Sequence, residues 1–276
     1  MKKKKMLPFI KMEGAGNDFV FISRSESDVS ITKQLAQLLL NRHYGIGGDQ
    51  LLVINTTAPK KEYDLAFFNS DGSMAEMCGN GVRSAAHYLK EYKGAGKSIL
   101  IHTKAGPIQV EFKGSEIDVD MGQPILEGTK IPVKAKGPIV DHPFRIADQI
   151  FRIHAISMGN PHCVIFVQNL EAFPVHHYGP MIENHPFFPK RVNVEFVEIL
   201  NNAHVKARVW ERGAGETLAC GSGACAIAVA GARFGLTSRK IKIDLPGGRL
   251  GVRWAADNHV FLTGPARVCY QGVFLV

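Results

Sequence analysis

Long apolar runs are scarce in this chain of 276 residues. The longest uncharged small-apolar stretch, residues 218–232, carries three glycines. It is shorter than the roughly 20 residues a membrane span requires, so no membrane partner is expected. Residues 6–10 are too short for a secretory hydrophobic segment, and Lys11 ends them. Cysteine is sparse as well. The five thiols (Cys78, Cys163, Cys220, Cys225 and Cys269) are odd in number and widely scattered. In a chain long enough to bury its own core, that pattern argues against a disulfide scaffold. There is no C-x-x-C pair, and Cys220 and Cys225 have no histidine nearby, so no metal site is expected. Basic charge lacks a pattern: 33 Lys and Arg against 25 Asp and Glu give +8, and Lys2, Lys3, Lys4 and Lys5 supply half of it. Without a basic stripe interleaved with aromatics, that run reads as a solvated tail and no nucleic-acid partner is expected. Together these absences lead to the expectation of a cytoplasmic protein.

What is present is an ordinary globular composition, 45% hydrophobic and 21% charged, punctuated by 28 Gly and 14 Pro. β-branched and aromatic runs between turn signals predict strands over 18–24, 50–55, 63–68, 98–103 and 107–112. The same signals recur over 151–158, 162–168, 191–199 and 205–210, and the last 37 residues read as strand hairpins. Ile31, Leu35, Leu38 and Leu39 predict a helix on one apolar face, and further helices are predicted over 79–92, 174–184 and 222–234. The residues repeat along with the elements. Gly16-Asn17 matches Gly159-Asn160, and Gln50 matches Asn193, at an offset of 143. Phe68-Asn69 matches Trp210-Glu211, Cys78-Gly79-Asn80-Gly81 matches Cys220-Gly221-Ser222-Gly223, and Gly106 matches Gly248, at 142. Landmarks in register with a single-residue slip indicate an internal duplication. The expected fold is α/β (α+β) with two similar, pseudo-symmetric domains. Residues 1–122 carry Cys78 and receive a returning C-terminal strand over 266–276; residues 123–265 carry Cys220.

Each C-G-x-G stretch stands where a strand and loop give way to a helix of small residues. Glycines there allow close approach to the main chain, and the first N–H groups of the helix face whatever occupies the loop. A thiol at that position is expected to have its anion stabilised and its pKa lowered below about 8.5. Two such thiols across a cleft suit inversion of a carbon acid, one removing a proton and the other returning one, with the helix starts binding a carboxylate. A Gly221-x-Gly223-x-x-Ala226 pattern superficially matches a dinucleotide fingerprint, but no strand–loop–helix unit ends in an acid about 20 residues on.

The segments Gly16-Asn17-Asp18-Phe19, Asn69-Ser70-Asp71-Gly72-Ser73 and Ala75-Glu76-Met77-Cys78-Gly79-Asn80-Gly81 closely resemble the diaminopimelate epimerase family, as do Gly159-Asn160-Pro161-His162, Glu211-Arg212-Gly213-Ala214-Gly215-Glu216-Thr217 and Ala219-Cys220-Gly221-Ser222-Gly223. The resemblance implies a cofactor-independent epimerase that interconverts LL- and meso-2,6-diaminopimelate, in lysine and peptidoglycan precursor synthesis. It also implies barrel-like sheets around central helices, and a homodimer. Position by position, it implies that Cys78 and Cys220 are the catalytic thiols, and that Gly79-Asn80 and Gly221-Ser222 are the backbone cradle of the reacting carboxylate. Asn17, Gln50, Asn69, Asn160, Asn193, Glu211 and Arg212 are implied to line the substrate pocket, with His162 and Glu211 tuning the cysteines. Glu13-Gly14-Ala15-Gly16 and Val82-Arg83-Ser84 depart from frequent family patterns at positions assigned no role. Cys163, Cys225 and Cys269 are expected to be structural, as isolated cysteines usually are. The alternatives are a proline racemase-like enzyme of the same fold, which would not need Arg212 and the asparagines for a distal amino-acid group, and a thiol redox module in which Cys78 and Cys220 pair reversibly.

Overall fold

A computed structural model describes residues 5–56, 61–114 and 116–276. The chain divides into two compact units, one formed by residues 1–119 with 264–276 and the other by 120–263. Of the lysine run, Lys2, Lys3 and Lys4 lie outside the described residues, while the Lys5 N–H donates to the Val276 carbonyl at 2.9 Å.

The first unit runs β1 (Met6–Gly14), β2 (Asn17–Ser23), α1 (Lys33–Leu40), β3 (Gln50–Asn55), β4 (Glu62–Asn69), β5 (Met74–Ala75), α2 (Gly79–Lys93), β6 (Ser98–Thr103), β7 (Gly106–Lys113) and β8 (Glu116–Asp120), the last crossing its boundary. β1 and β2 form a hairpin, β2 lies parallel to β3 across the α1 connection, β3 is antiparallel to β4, and β4 lies parallel to β6 across α2. The strand β1 was not among the sequence predictions, because Lys11 interrupts its apolar run. Its ammonium is buried against Asp18, 2.7 Å away, so the strand continues through it. Helix α1 starts after Thr32, whose side chain accepts from the Leu35 N–H. Its buried face is Leu35, Ala36, Leu39 and Leu40, whereas Leu38, expected inside, is 42% exposed. Leu38 falls outside the arc that those four residues define at 3.6 residues per turn.

The second unit repeats the plan: β9 (His142–Ile146), β10 (Gln149–Ser157), β11 (Pro161–Phe166), α3 (Val175–Glu183), β12 (Asn193–Asn201), β13 (His204–Glu211), β14 (Gly215–Thr217), α4 (Gly221–Arg233), β15 (Lys240–Leu245), β16 (Gly248–Trp254) and β17 (Val260–Thr263). Again β11 lies parallel to β12 across a helix, β12 is antiparallel to β13, and β13 lies parallel to β15 across α4. The final strand β18 (Arg267–Leu275) belongs to the first unit and pairs antiparallel with β1, Met6 opposite Leu275. Helix α4 packs against β10, β11, β12, β15, β16 and β17. A helix covered all round can have no polar face, which accounts for its run of Ala, Gly, Val and Ile.

Candidate active site

Both motif cysteines stand immediately before a helix. In the first unit Cys78 precedes α2 in extended conformation (φ −143°, ψ 117°) and is half-buried. Its thiol points at Asn17 Oδ1, 3.7 Å away. Asn17 is placed there by the hairpin that sets it opposite Gly14. Its amide N–H donates to Asp49 Oδ2 at 2.6 Å, which turns its oxygen toward the sulfur. Arg42 holds Asp49 at 2.9 Å and forks onto both oxygens of Asp18 at 2.7 and 2.9 Å. Burial alone would raise the Asp18 pKa, but hydrogen bonds from Arg42 and Lys11 outweigh it and hold the carboxyl well below the usual range. Gln50 and Asn69 are cross-strand neighbours on β3 and β4, joined from Nε2 to Oδ1 at 3.0 Å, and Asn69 donates to Ser73 Oγ at 3.1 Å. Gln50 Oε1 is buried with no hydrogen-bond partner. Asn80 spends its side-chain oxygen on the wholly buried Arg83, 2.7 Å away, so together with Gly79 it offers main chain at the helix start.

In the second unit Cys220 precedes α4 (φ −125°, ψ 115°), is buried, and lies 3.6 Å from Ser222 Oγ. The expectation of a lowered thiol pKa is reversed at this position. Burial pushes the Cys220 thiol well above its ordinary value, and the nearby charges of Glu211 and Glu195 add to it. The Ser222 hydroxyl and the Gly223 N–H act in the opposite direction and are outweighed. Glu211, at the end of β13, accepts from Thr217 Oγ1 at 2.6 Å. His162, fully buried on β11, lies between two oxygens: Glu195 Oε1, 2.7 Å from Nδ1, and Asn160 Oδ1, 3.0 Å from Nε2. Both polar groups of the Asn193 side chain are engaged with main chain, its amide donating to the Pro161 carbonyl at 2.9 Å and its oxygen accepting the Arg212 N–H at 3.0 Å. Arg212 itself is exposed and reaches the Lys190 carbonyl at 3.2 Å.

Four polar residues at these sites carried no role in the sequence reading. Asp49 and Arg42 anchor Asn17. Glu183, buried on α3, accepts from Trp210 Nε1 and from the Gly213 N–H, both at 2.7 Å, and from Arg191, so it holds the turn that carries Arg212. Glu195 is wholly buried under α4. The signal for Glu195 was a single acid within the apolar run 192–197; that for Glu183 was an acid at the end of a predicted helix. Cys163 and Cys225 are fully buried and Cys269 is exposed on β18. Among the described residues, no three His, Cys, Asp or Glu side chains are grouped so as to hold a metal ion, and no helix is long and apolar enough to cross a membrane.

Comparison with known proteins places this geometry among relatives. A sequence profile described as diaminopimelate epimerase matches residues 9–127 and 154–269. Diaminopimelate epimerase of Leptospira biflexa is 43% identical over 274 residues, covering 96% of this chain and 97% of that protein. The enzyme of the same name from Carboxydothermus hydrogenoformans is 43% identical over 275 residues, covering 98% and 100%. Among solved structures, an Enterococcus faecalis phenazine biosynthesis protein of the PhzF family superposes with a TM-score of 0.71 at 14% identity, covering 99% of this chain and 100% of that one. A probable proline racemase from Agrobacterium radiobacter gives 0.68 at 11% identity, covering 96% and 92%. These two establish the shared two-domain fold and nothing about chemistry.

Proposed function

The chain belongs to the diaminopimelate epimerase family, and from that premise we propose that Cys78 and Cys220 are the acid–base pair with which it acts. It is an isomerase that interconverts LL- and meso-2,6-diaminopimelate. In the proposed chemistry one cysteine, as thiolate, takes the proton from the substrate α-carbon. The electron pair left behind is spread onto the adjacent carboxylate, and the other cysteine, as thiol, delivers a proton to the opposite face. After one inversion the two sulfurs have exchanged protonation states, so each serves as base in one direction and as acid in the other. The carbon acid is weaker than a thiol by well over ten pKa units, roughly 14 kcal/mol or more at 1.4 kcal/mol per unit. The Gly79-Asn80 and Gly221-Ser222 main-chain N–H groups are assigned to binding the carboxylate on which that charge develops.

The observation that carries the assignment is the duplicated one: each unit sets a cysteine immediately before a buried helix start. Asn17, Gln50, Asn69, Asn160, Asn193, Glu211 and Arg212 are proposed to hold the substrate, His162 and Glu211 to tune the thiols. The unpartnered Gln50 Oε1 suits an ammonium donor, and the exposed Arg212 guanidinium suits the distal carboxylate. The racemase-like alternative has likeness of fold alone. Supply of lysine and peptidoglycan precursors, a cytoplasmic location and a homodimer belong to the same reading. For the dimer, the supporting feature is the apolar surface of Met6, Val273 and Leu275 on one face of the β1–β18 pair, each at least half exposed.

Conversion of either cysteine to alanine tests the assignment. Cys78→Ala and Cys220→Ala are each expected to lower kcat for LL-diaminopimelate by about 10⁴-fold or more while leaving the far-ultraviolet spectrum and melting temperature near those of the parent. Substantial turnover by either variant would overturn it.

A further inference from the structure

The duplication makes it possible to ask where the two halves differ. In the first unit Phe19 on β2 is registered against Gln50 on β3, and Leu52 lies two residues further along. In the second, His162 on β11 is registered against Asn193 on β12, and Glu195 lies two residues further along. Phe19 therefore corresponds to His162, and Leu52 to Glu195. The helix starts confirm the match independently. A Cβ placed on Gly81 of α2 would meet Phe67 at 2.8 Å and Leu52 at 3.1 Å. A Cβ on the equivalent Gly223 of α4 would meet Glu195 Oε1 at 2.8 Å and Cys220 Sγ at 3.4 Å. The same architectural position holds an apolar pair beneath one cysteine-capped helix and a buried acid–imidazole pair beneath the other.

On the reading given under Proposed function, we propose that Glu195 is a positioning residue of the epimerisation: from beneath α4 it fixes the His162 ring through Nδ1 and makes the Cys220 half of the chemistry unlike the Cys78 half. A buried carboxylate is costly unless it does something that an aliphatic side chain cannot, and Leu52 demonstrates that the fold accepts the aliphatic one. Both ring nitrogens of His162 face oxygens, Glu195 Oε1 and Asn160 Oδ1, and although burial raises the Glu195 carboxyl pKa, the contact with the His162 ring opposes that rise. Its second oxygen, Oε2, is buried with no hydrogen-bond partner. The charged groups that face Cys220 are Glu195 from β12 and Glu211 from β13, and both favour the protonated sulfur. Glu195 thus acts on Cys220 through its field and on His162 through a hydrogen bond.

The test uses the full-length protein, with two variants. Glu195→Gln keeps the shape and the acceptor oxygen but removes the charge. The double variant His162→Phe with Glu195→Leu installs the pair that the first unit already carries. For Glu195→Gln, kcat on LL-diaminopimelate is expected to fall about 100-fold with KM within about 3-fold of the parent. Iodoacetamide alkylation, followed peptide by peptide across pH, should show the Cys220 midpoint moving down by about one pH unit while that of Cys78 stays put. A purely structural role would move neither midpoint or both. The double variant is expected to fold and to lose turnover. The proposal is overturned if Glu195→Gln retains the parent kcat and Cys220 midpoint, or if the double variant turns over normally. If the parent itself fails to invert diaminopimelate while the Cys220 midpoint still responds, the substrate assignment fails and the electrostatic role of Glu195 stands.

Discussion

Asp18 shows how a single side chain can tie function to stability. It accepts Arg42 and Lys11 together, and Arg42 passes the constraint to Asp49 and so to Asn17 beside Cys78. Because its folded-state pKa lies below that of the unfolded chain, its ion pairs contribute in full above about pH 4 and that contribution is lost as pH falls further. Asp18→Asn should therefore be less stable than the parent near neutrality, with the gap closing between about pH 4 and pH 2. Urea titrations at a series of pH values check this, and a gap independent of pH would contradict it. Little of this cluster could be read from the sequence. Asp18 lay within a recognisable motif, but Lys11 looked like the end of an apolar run, and Arg42 and Asp49 carried no local pattern. Their roles arise from the hairpin and from the loop that follows α1, which bring together positions up to 38 residues apart.

At the scale of elements, the helix starts α2 and α4 are the parts most tightly specified. Gly81 and Gly223 each occupy the third helical position over a neighbour with no room to retreat. Alanine is the better helix former there by about 1 kcal/mol. Overpacking a dense core costs about 1–3 kcal/mol and is expected to win, because Phe67 is buried and Glu195 is locked to His162. Gly81→Ala and Gly223→Ala should each lower the melting temperature by several degrees in thermal denaturation; an unchanged or raised value would show that these contacts can relax. Elements with strong periodicity or matched motifs were legible beforehand, including α2, α4 and the β3–β4 pair. The strands β1, β8 and β9 were not. β1 depends on a paired buried lysine, and β8 and β9 are five-residue runs, too short for a clear periodic signal, that are fixed by antiparallel pairing with their chain neighbours β7 and β10.

The molecule as a whole is a duplication followed by divergence. Matched landmarks revealed the repeat in the sequence, because Gly-Asn turns and C-G-x-G loops survive as identical letters. The divergence was harder to see, since Leu52 and Glu195 share no letter to draw attention to the position; strand register and the helix starts show that the two side chains occupy it in turn. On the proposed assignment each half contributes one proton-transfer group, so that a single stereocentre is inverted without returning its own proton. The most direct measurement is inversion of LL-diaminopimelate by the reduced protein in deuterium oxide, stopped early, with stereoisomers separated and weighed. The account predicts that the meso product carries one solvent deuterium at the inverted α-carbon while the recovered LL substrate is still unlabelled. Product without solvent deuterium, or label entering recovered substrate as fast as product, would contradict it.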